Sequence, residues 1–299
     1  MKSRTLTRAL AAGGLFAAVA MSVLPEQANA ALGFGQGSGQ NSDQPISIDA
    51  EEGIEWQQAK QVYIARGNAV ASQGGVTVRA DSLTAHYRTG QKGDTEIWRI
   101  VADGNVKIST EKETATGDKG VYDIDNGVLV MTGKIVRLDT PTEKISAKQS
   151  LEYWDTKRIA IARGNALAIK DGRELRADVL TAHLKETKKG ALELARMEAF
   201  GNVEVATQSE VARAEYGDYD PDTGIANMAG SVKISRGTSQ LNGEFAEVNM
   251  KTGVSRLLAQ PKGVPSSGKR VRGVMQPESK SGQKGVKTAV PQPPVPVNP

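Results

Sequence analysis

The sequence predicts an all-β fold of about 20 short antiparallel strands, and three observations carry that expectation. Apolar residues alternate with polar ones around a recurring set of glycines. The chain matches itself at a fixed offset, and turn-forming residues recur roughly every 8 to 12 positions. A helical domain would need a period near 3.6, which these segments lack.

The duplication is direct. At an offset of 97, Ala-Arg-Gly-Asn-Ala-Val-Ala from Ala65 falls on Ala-Arg-Gly-Asn-Ala-Leu-Ala from Ala162, and 14 of 24 positions agree between 65–88 and 162–185. The register continues without a gap through Gly104-Asn105-Val106 on Gly201-Asn202-Val203 and Tyr122-Asp123 on Tyr219-Asp220. Marker glycines at 67, 104, 133, 164, 201 and 230 divide this into smaller units, each repeating one supersecondary piece. Small-acidic pairs such as Ala80-Asp81, Gly117-Asp118, Ala177-Asp178 and Ala214-Glu215 follow the markers and are expected to punctuate the next strand.

Taken in order, Lys2, Arg4 and Arg8, the apolar run Ala9–Leu24 and Ala28-Asn29-Ala30 have the layout of an export signal cleaved after Ala30. At 16 residues the run is shorter than a membrane span. Residues 31–44 are rich in Gly, Ser and Gln and are expected to form a flexible linker. The foldable body is about 45–260, divided by the duplication into about 45–140 and 141–260. In the units at Gly67 and Gly164, apolar residues occupy both parities, so the inward face stays open.

The units at Gly104, Gly133, Gly201 and Gly230 are clean. Two and four residues either side of each glycine, 15 of 16 positions are apolar: Ile100, Ala102, Val106 and Ile108; Leu129, Met131 and Ile135; Met197, Ala199, Val203 and Val205; Ala226, Met228, Val232 and Ile234. Arg137 alone departs. Period two with one apolar side means a strand with one buried face. By propensity Ala191–Ala199 would read as a helix, but the repeat places it on Ile97, Trp98 and Ile100, which argues for strand. The last segment, 261–299, holds eight of the 12 prolines and little to bury, so a disordered tail is expected.

Charge follows the same division. Of the net +4, the leader carries +2 and the tail +6, leaving about −4 on residues 31–260, which makes nucleic acid a poor partner. No cysteine is present, so strand pairing and apolar packing hold the fold without disulfides. The two histidines, His86 and His183, are repeat equivalents on the parity opposite Leu83 and Leu180, which places them on an outer strand face rather than in a metal site. The recurring acids at 81, 118, 178 and 215 belong to the scaffold, because a catalytic pair would be unique. No catalytic residue, metal ligand or cofactor site follows, and an enzyme is not expected. The apolar face is mostly aliphatic; by itself it fits a closed core and a ligand groove equally well.

The x-Gly-Asn-Val/Ala-x-apolar strand followed by Ala-Asp-x-Leu-x-Ala, in tandem units after an export signal, resembles the repeat of OstA/LptA-type lipopolysaccharide-transport proteins over about residues 45–260. That resemblance implies a folded-over β-jelly-roll, open at its ends, whose interior takes the acyl chains of lipopolysaccharide. The implied lumen is Ile100, Val106, Ile108, Leu129, Met131, Ile135, Met197, Val203, Val205, Met228, Val232 and Ile234. It further implies a periplasmic bridge that stacks end to end between an inner-membrane LptC-like and an outer-membrane LptD-like component. The alternatives are a structural or adhesive β-solenoid with a closed core and no ligand, and an LptC-like anchored relative, against which the cleavage site argues.

Overall fold

The structure, a computed structural model, describes residues 46–90, 93–188, 192–249, 251–252, 254–260 and 270–274. The expected export signal and linker, and most of the expected tail, lie outside those residues. Among the described residues eighteen strands form one sheet. In chain order they are β1 (Ser47–Asp49), β2 (Gly53–Gln57), β3 (Val62–Gln73), β4 (Val76–Thr89), β5 (Thr95–Ser109) and β6 (Thr114–Asp123). Then come β7 (Val128–Thr132), β8 (Val136–Asp139), β9 (Glu143–Ala147), β10 (Ser150–Trp154), β11 (Ile159–Lys170) and β12 (Arg173–Glu186). The series ends with β13 (Leu192–Ala206), β14 (Glu210–Asp220), β15 (Ile225–Arg236), β16 (Ser239–Asn249), β17 (Val254–Leu258) and β18 (Arg272–Val274). Leu192–Ala199 is strand, as the repeat required and propensity did not.

The strands are longer than turn spacing suggested, up to 15 residues in β5 and β13. The physical reason is that the marker glycines do not end strands. In β5, Gly104 and Asn105 both take left-handed backbone, φ 78° and 48°, and the pairing with β4 skips from Asp103↔Ser82 to Lys107↔Arg79. Three residues on β5 therefore face two on β4, a bulge that bends the strand without stopping it. Glycine meets the positive φ at no steric cost, and asparagine is the side chain that best tolerates it. Asn105 Nδ2 then donates to the Asp81 carboxylate at 3.0 Å, and a Cβ on Gly104 would collide with that same carboxylate.

The same device recurs at Gly67-Asn68, Gly164-Asn165, Gly201-Asn202 and Gly230-Ser231. Asn68 reaches Glu51 at 2.8 Å, Asn202 reaches Asp178 at 2.9 Å and Ser231 reaches Glu215 at 3.2 Å. The small-acidic pairs thus sit mid-strand opposite the bulges at Gly104, Gly201 and Gly230, whereas Gly67 and Gly164 face Glu52 and Gln149. Because sequential strands pair antiparallel, the bulges align in a row that creases the whole sheet. Four strand pairs, β1/β2, β7/β8, β9/β10 and β17/β18, are halves of one line interrupted at that row, each half pairing with the same neighbour. The result is an antiparallel meander folded lengthwise into two arms, a β-jelly-roll open at its ends.

Arm 1 ends in hairpins such as Gly74-Gly75 and Asp171-Gly172; arm 2 ends in turns such as 124–127 and 221–224. Inward residues of both arms share buried clusters. Val78, Ile108 and Ala115 of arm 1 join Leu83, Leu129 and Tyr153 of arm 2, and Ala168, Leu175 and Ile234 join Leu180, Ala199 and Ala246. Half-buried Leu151 packs against both clusters, which makes the interior continuous. The open question of the Gly67 and Gly164 units is answered by Ala65, Ala69, Ala162 and Ala166, all buried and all facing in.

Two expectations are corrected. Ile135 is 44% exposed, while Val136 beside it is fully buried. The stretch between β7 and β8 runs through Gly133, Lys134 and Ile135 as bends, one residue longer than the two-residue bulges elsewhere. That extra residue flips the parity beyond it, which also explains why Arg137 was the one polar exception. Second, within the expected disordered tail, Arg272–Val274 forms β18 on the outer edge of β16.

Candidate functional site: a creased apolar groove

The crease makes the floor of a groove. Alanines flank it on strand after strand, with Ala69, Ala115, Ala147, Ala166 and Ala246 at most 1% exposed. Small side chains there let the arms approach at a sharp angle. Larger aliphatic groups fill the angle: Val106, Ile108, Leu129, Met131, Val203, Val232 and Ile234 are all buried, as are Val136 and Leu175. On several strands burial falls away from the crease, whereas Ile108, Leu129 and Ile234 stay buried at a like distance from it. On arm 2, Ala102 is buried but Ile100 half-buried, and Ala199 is buried but Met197 half-buried. On arm 1, Val203 is buried but Val205 half-buried. Met228 is likewise a half-buried wall residue. Half-buried inward residues beyond a buried floor are the arrangement expected of a cleft between two arms.

Eleven of the twelve residues expected in the lumen therefore face inward, seven on the floor and Ile100, Met197, Val205 and Met228 on the walls; Ile135 gives its place to Val136. Sequence reasoning missed the aromatic part of the lining. Tyr63, Tyr87, Tyr122, Tyr153 and Tyr219 pair in register with inward residues of neighbouring strands, so five of the six tyrosines line arm 2. Burial pushes the Tyr122 and Tyr153 hydroxyls up to about 12, so both stay neutral and add no charge to the wall, and Tyr153 Oη donates to Asp155 at 3.3 Å. Tyr122, Tyr153 and Tyr219 each stand 11 residues before a marker glycine, a shared offset legible in the sequence, whereas Tyr63 and Tyr87 join the set only through the cross-strand register.

The two ends of the groove differ. At the N-terminal end β1 and β2 have no outer neighbour among the described residues, and there their inward side chains stay uncovered: Ile48 at 36%, Ile54 at 54% and Trp56 at 56% exposed. Trp56 stacks on Tyr63 at 5.7 Å and its Nε1 donates to Tyr87 Oη at 2.7 Å, so this mouth is a preformed aromatic shelf. At the C-terminal end Leu241 and Leu257 are half-buried, and β17 and β18 together cover β16.

The rim of arm 1 is charged. Glu113 and Glu210, equivalent at the 97-residue offset, face in and are buried, and burial pushes Glu113 up to about 7, with the charge of Glu143 adding to it. Lys170 pairs with Glu143 at 2.8 Å, and Arg173 follows it across the Asp171-Gly172 turn. The acids at 81 and 118 stay at the crease, where Asp118 accepts from the Lys134 amide at 2.8 Å. Both histidines lie on the outer face. His86 packs on Trp98 at 5.6 Å, and His183 bonds Glu198 at 2.8 Å. No group of three or more His, Cys, Asp or Glu converges on one point among the described residues.

Residues 47–153 and 144–254 each match the family described as LptA/(LptD N-terminal domain) LPS transport protein. An uncharacterized protein of Rhizobium meliloti (strain 1021), R00383, is 31% identical over 137 residues, 44% of this chain and 72% of that protein. A solved structure titled LptH, the LptA homologous periplasmic component of the lipopolysaccharide transport device from Pseudomonas aeruginosa, aligns at 13% identity. That alignment covers 79% of this chain and 99% of LptH, and its TM-score of 0.20 adds nothing to the fold read from strand register.

Proposed function

Because the chain belongs to the LptA/(LptD N-terminal domain) family of LPS transport proteins, we propose that it is a periplasmic carrier that holds lipopolysaccharide acyl chains in its creased groove. The observation that carries this reading is the gradient of burial, with a sealed aliphatic floor under walls that leave Ile100, Met197, Val205 and Met228 partly open to solvent. An alkyl chain laid there removes those walls and itself from water, worth about 0.8 kcal/mol for each methylene buried. Fourteen strand lines, from the eighteen strands with four pairs each counted once, spaced by about 4.8 Å, give a groove roughly 60 Å long. Such a length suits several chains side by side.

The rest of the reading concerns assembly. The export signal delivers the chain, with maturation after Ala30. The uncovered strand β1/β2 offers main-chain groups to a further strand, so an LptC-like or LptD-like component or a second copy would extend the sheet and align the grooves. Transport energy comes from a partner, and this chain acts as a passive channel.

Photo-crosslinking tests the groove. Crosslinkers at Ile100, Val106, Met197, Val203, Met228 or Val232 are expected to capture lipopolysaccharide, whereas those at Lys107, Ile135, Glu204 or Lys233 are not. Equal labelling on both faces would overturn the inward assignment. No labelling anywhere, in protein shown to be folded, would leave a closed solenoid as the better description.

A further inference from the structure

Beside the apolar walls, one half of the groove rim carries charge that the fold does not require. Arg173 lies on the inward face of β12, two residues from buried Leu175. It is half-buried, its Nη1 is sealed from solvent, and that nitrogen has no hydrogen-bond partner. Leaving a buried donor unmade costs on the order of 1–3 kcal/mol, and more for a charged group, so such a nitrogen needs a reason. The first copy of the repeat supplies the comparison. At the offset of 97, Val76 stands where Arg173 stands and is 7% exposed, while Gln73 stands in place of Lys170. Both hairpins have two-residue turns with positive φ throughout, Gly74-Gly75 and Asp171-Gly172, so the backbone is the same and an apolar residue fills the site without strain.

Around Arg173 the other charged groups of the rim are known. Lys170 sits directly opposite it and is held by Glu143 at 2.8 Å with only 11% of its side chain exposed. Two strands further on, Glu210 pairs in register with Arg236, and Glu210 Oε2 is likewise buried without a partner. Lys170, Arg173, Arg236, Glu143 and Glu210 thus line the C-terminal rim, where the first copy has Gln73, Val76, Asp139, Ile46 and Glu113 at the same offset.

We propose that Arg173, flanked by Lys170 and Arg236, forms a subsite for a phosphate-class anion carried by the amphiphile whose chains occupy the groove. The inference rests on the groove reading and adds a position to it: the headgroup sits at the C-terminal rim of arm 1, and the chains lie toward the crease. A guanidinium offers paired donors that match phosphate oxygens, and in a partly desolvated wall such charge-assisted bonds are stronger than at a free surface. Lys170 and Arg236 supply the remaining positive field, while Glu143 keeps Lys170 in place.

The test replaces the rim with that of the first copy, Lys170→Gln with Arg173→Val, in the full chain. Affinity is measured for bis-phosphorylated lipid A, for the same lipid stripped of its phosphates, and for inorganic phosphate alone. The natural protein should prefer the phosphorylated lipid by about tenfold, the equivalent of about 1.4 kcal/mol. In the double variant that preference should fall below about twofold, with the dephosphorylated lipid bound as before. Equal weakening for both lipids, or no preference in the natural protein together with no response to inorganic phosphate, would overturn the subsite. Inorganic phosphate binding as tightly as the lipid phosphate, and lost in the variant, would keep the anion site but make free phosphate its ligand. If neither lipid binds the natural protein, the groove reading falls, and the lipid-borne subsite falls with it.

Discussion

The two copies of the repeat agree at the Gly104 and Gly201 bulges and diverge at the rim and on the outer face. Gly104-Asn105 against Asp81 and Gly201-Asn202 against Asp178 are nearly superimposable arrangements, with φ values of 78° and 48° in one and 73° and 49° in the other. By contrast Val76 becomes Arg173, Gln73 becomes Lys170 and Tyr87 becomes Leu184. On the outer face His86 packs on Trp98, whereas His183 joins Glu198, Tyr216 and Arg196 in a polar network. The crease decides whether the sheet folds over at all, so its chemistry admits little change. The rim and outer face decide what the folded sheet touches, and there each copy has gone its own way.

If that division is right, alanine at Gly104 and at Gly201 should be equally damaging. Each would carry positive φ and drive a Cβ into the facing aspartate, costing about 3–4 kcal/mol in urea unfolding. A large loss in one copy with a small loss in the other would break the comparison. Asp81→Ala should relieve part of the Gly104→Ala penalty, because it removes the carboxylate that the new Cβ meets, without restoring the bulge geometry.

The buried rim carboxylates should separate the copies next. With its folded pKa raised above the unfolded one, Glu113 binds its proton more tightly in the native state. Stability from this group is therefore full at low pH and falls as pH rises from about 4.5 through 7. Glu113→Gln should remove that slope and stabilise the protein by about 2–3 kcal/mol at pH 8, as read from urea midpoints. Glu210 is also raised by burial, but the nearby Arg236 opposes the shift, so Glu210→Gln should gain less. Equal gains would show that Arg236 does not act on Glu210.

On the outer face the effect is smaller. Burial pushes Glu198 up, but hydrogen bonds from His183 and Tyr216 and the charge of Arg196 hold it below the usual carboxylate range. Its contribution is present above the unfolded pKa and lost as pH falls through the folded one. Glu198→Gln should cost about 1 kcal/mol at neutral pH and progressively less in acid, whereas substitution of its first-copy equivalent, Val101, should show no such pH dependence. The smallest expected effect is the reverse rim exchange. Gln73→Lys with Val76→Arg should add about a threefold preference for phosphorylated over dephosphorylated lipid, well under 1 kcal/mol, measured by the same lipid titrations.

What the sequence determined by itself was local and periodic. Alternation in register with Gly104, Gly201 and Gly230 placed Val106, Val203 and Val232 inside, because side chains of one strand must alternate faces whatever lies beside it. The duplication corrected propensity at Leu192–Ala199 for the same reason, since a shared position in a repeat outweighs the preference of individual residues. Ile135 failed because a single extra residue reverses parity, and nothing in the composition of Gly133-Lys134-Ile135 marks a three-residue bend.

The tertiary structure decided everything that depends on which strands meet. Whether Tyr63, Tyr87, Tyr122, Tyr153 and Tyr219 share a wall is a matter of cross-strand register, which is set by pairing between segments tens of residues apart. Alternation alone could not tell groove from core either. Both bury one face of each strand; what supports the proposed groove is tertiary, the half-buried Ile100 and Met197 beside buried Ala102 and Ala199 on strands bent where Asn105 reaches Asp81 and Asn202 reaches Asp178.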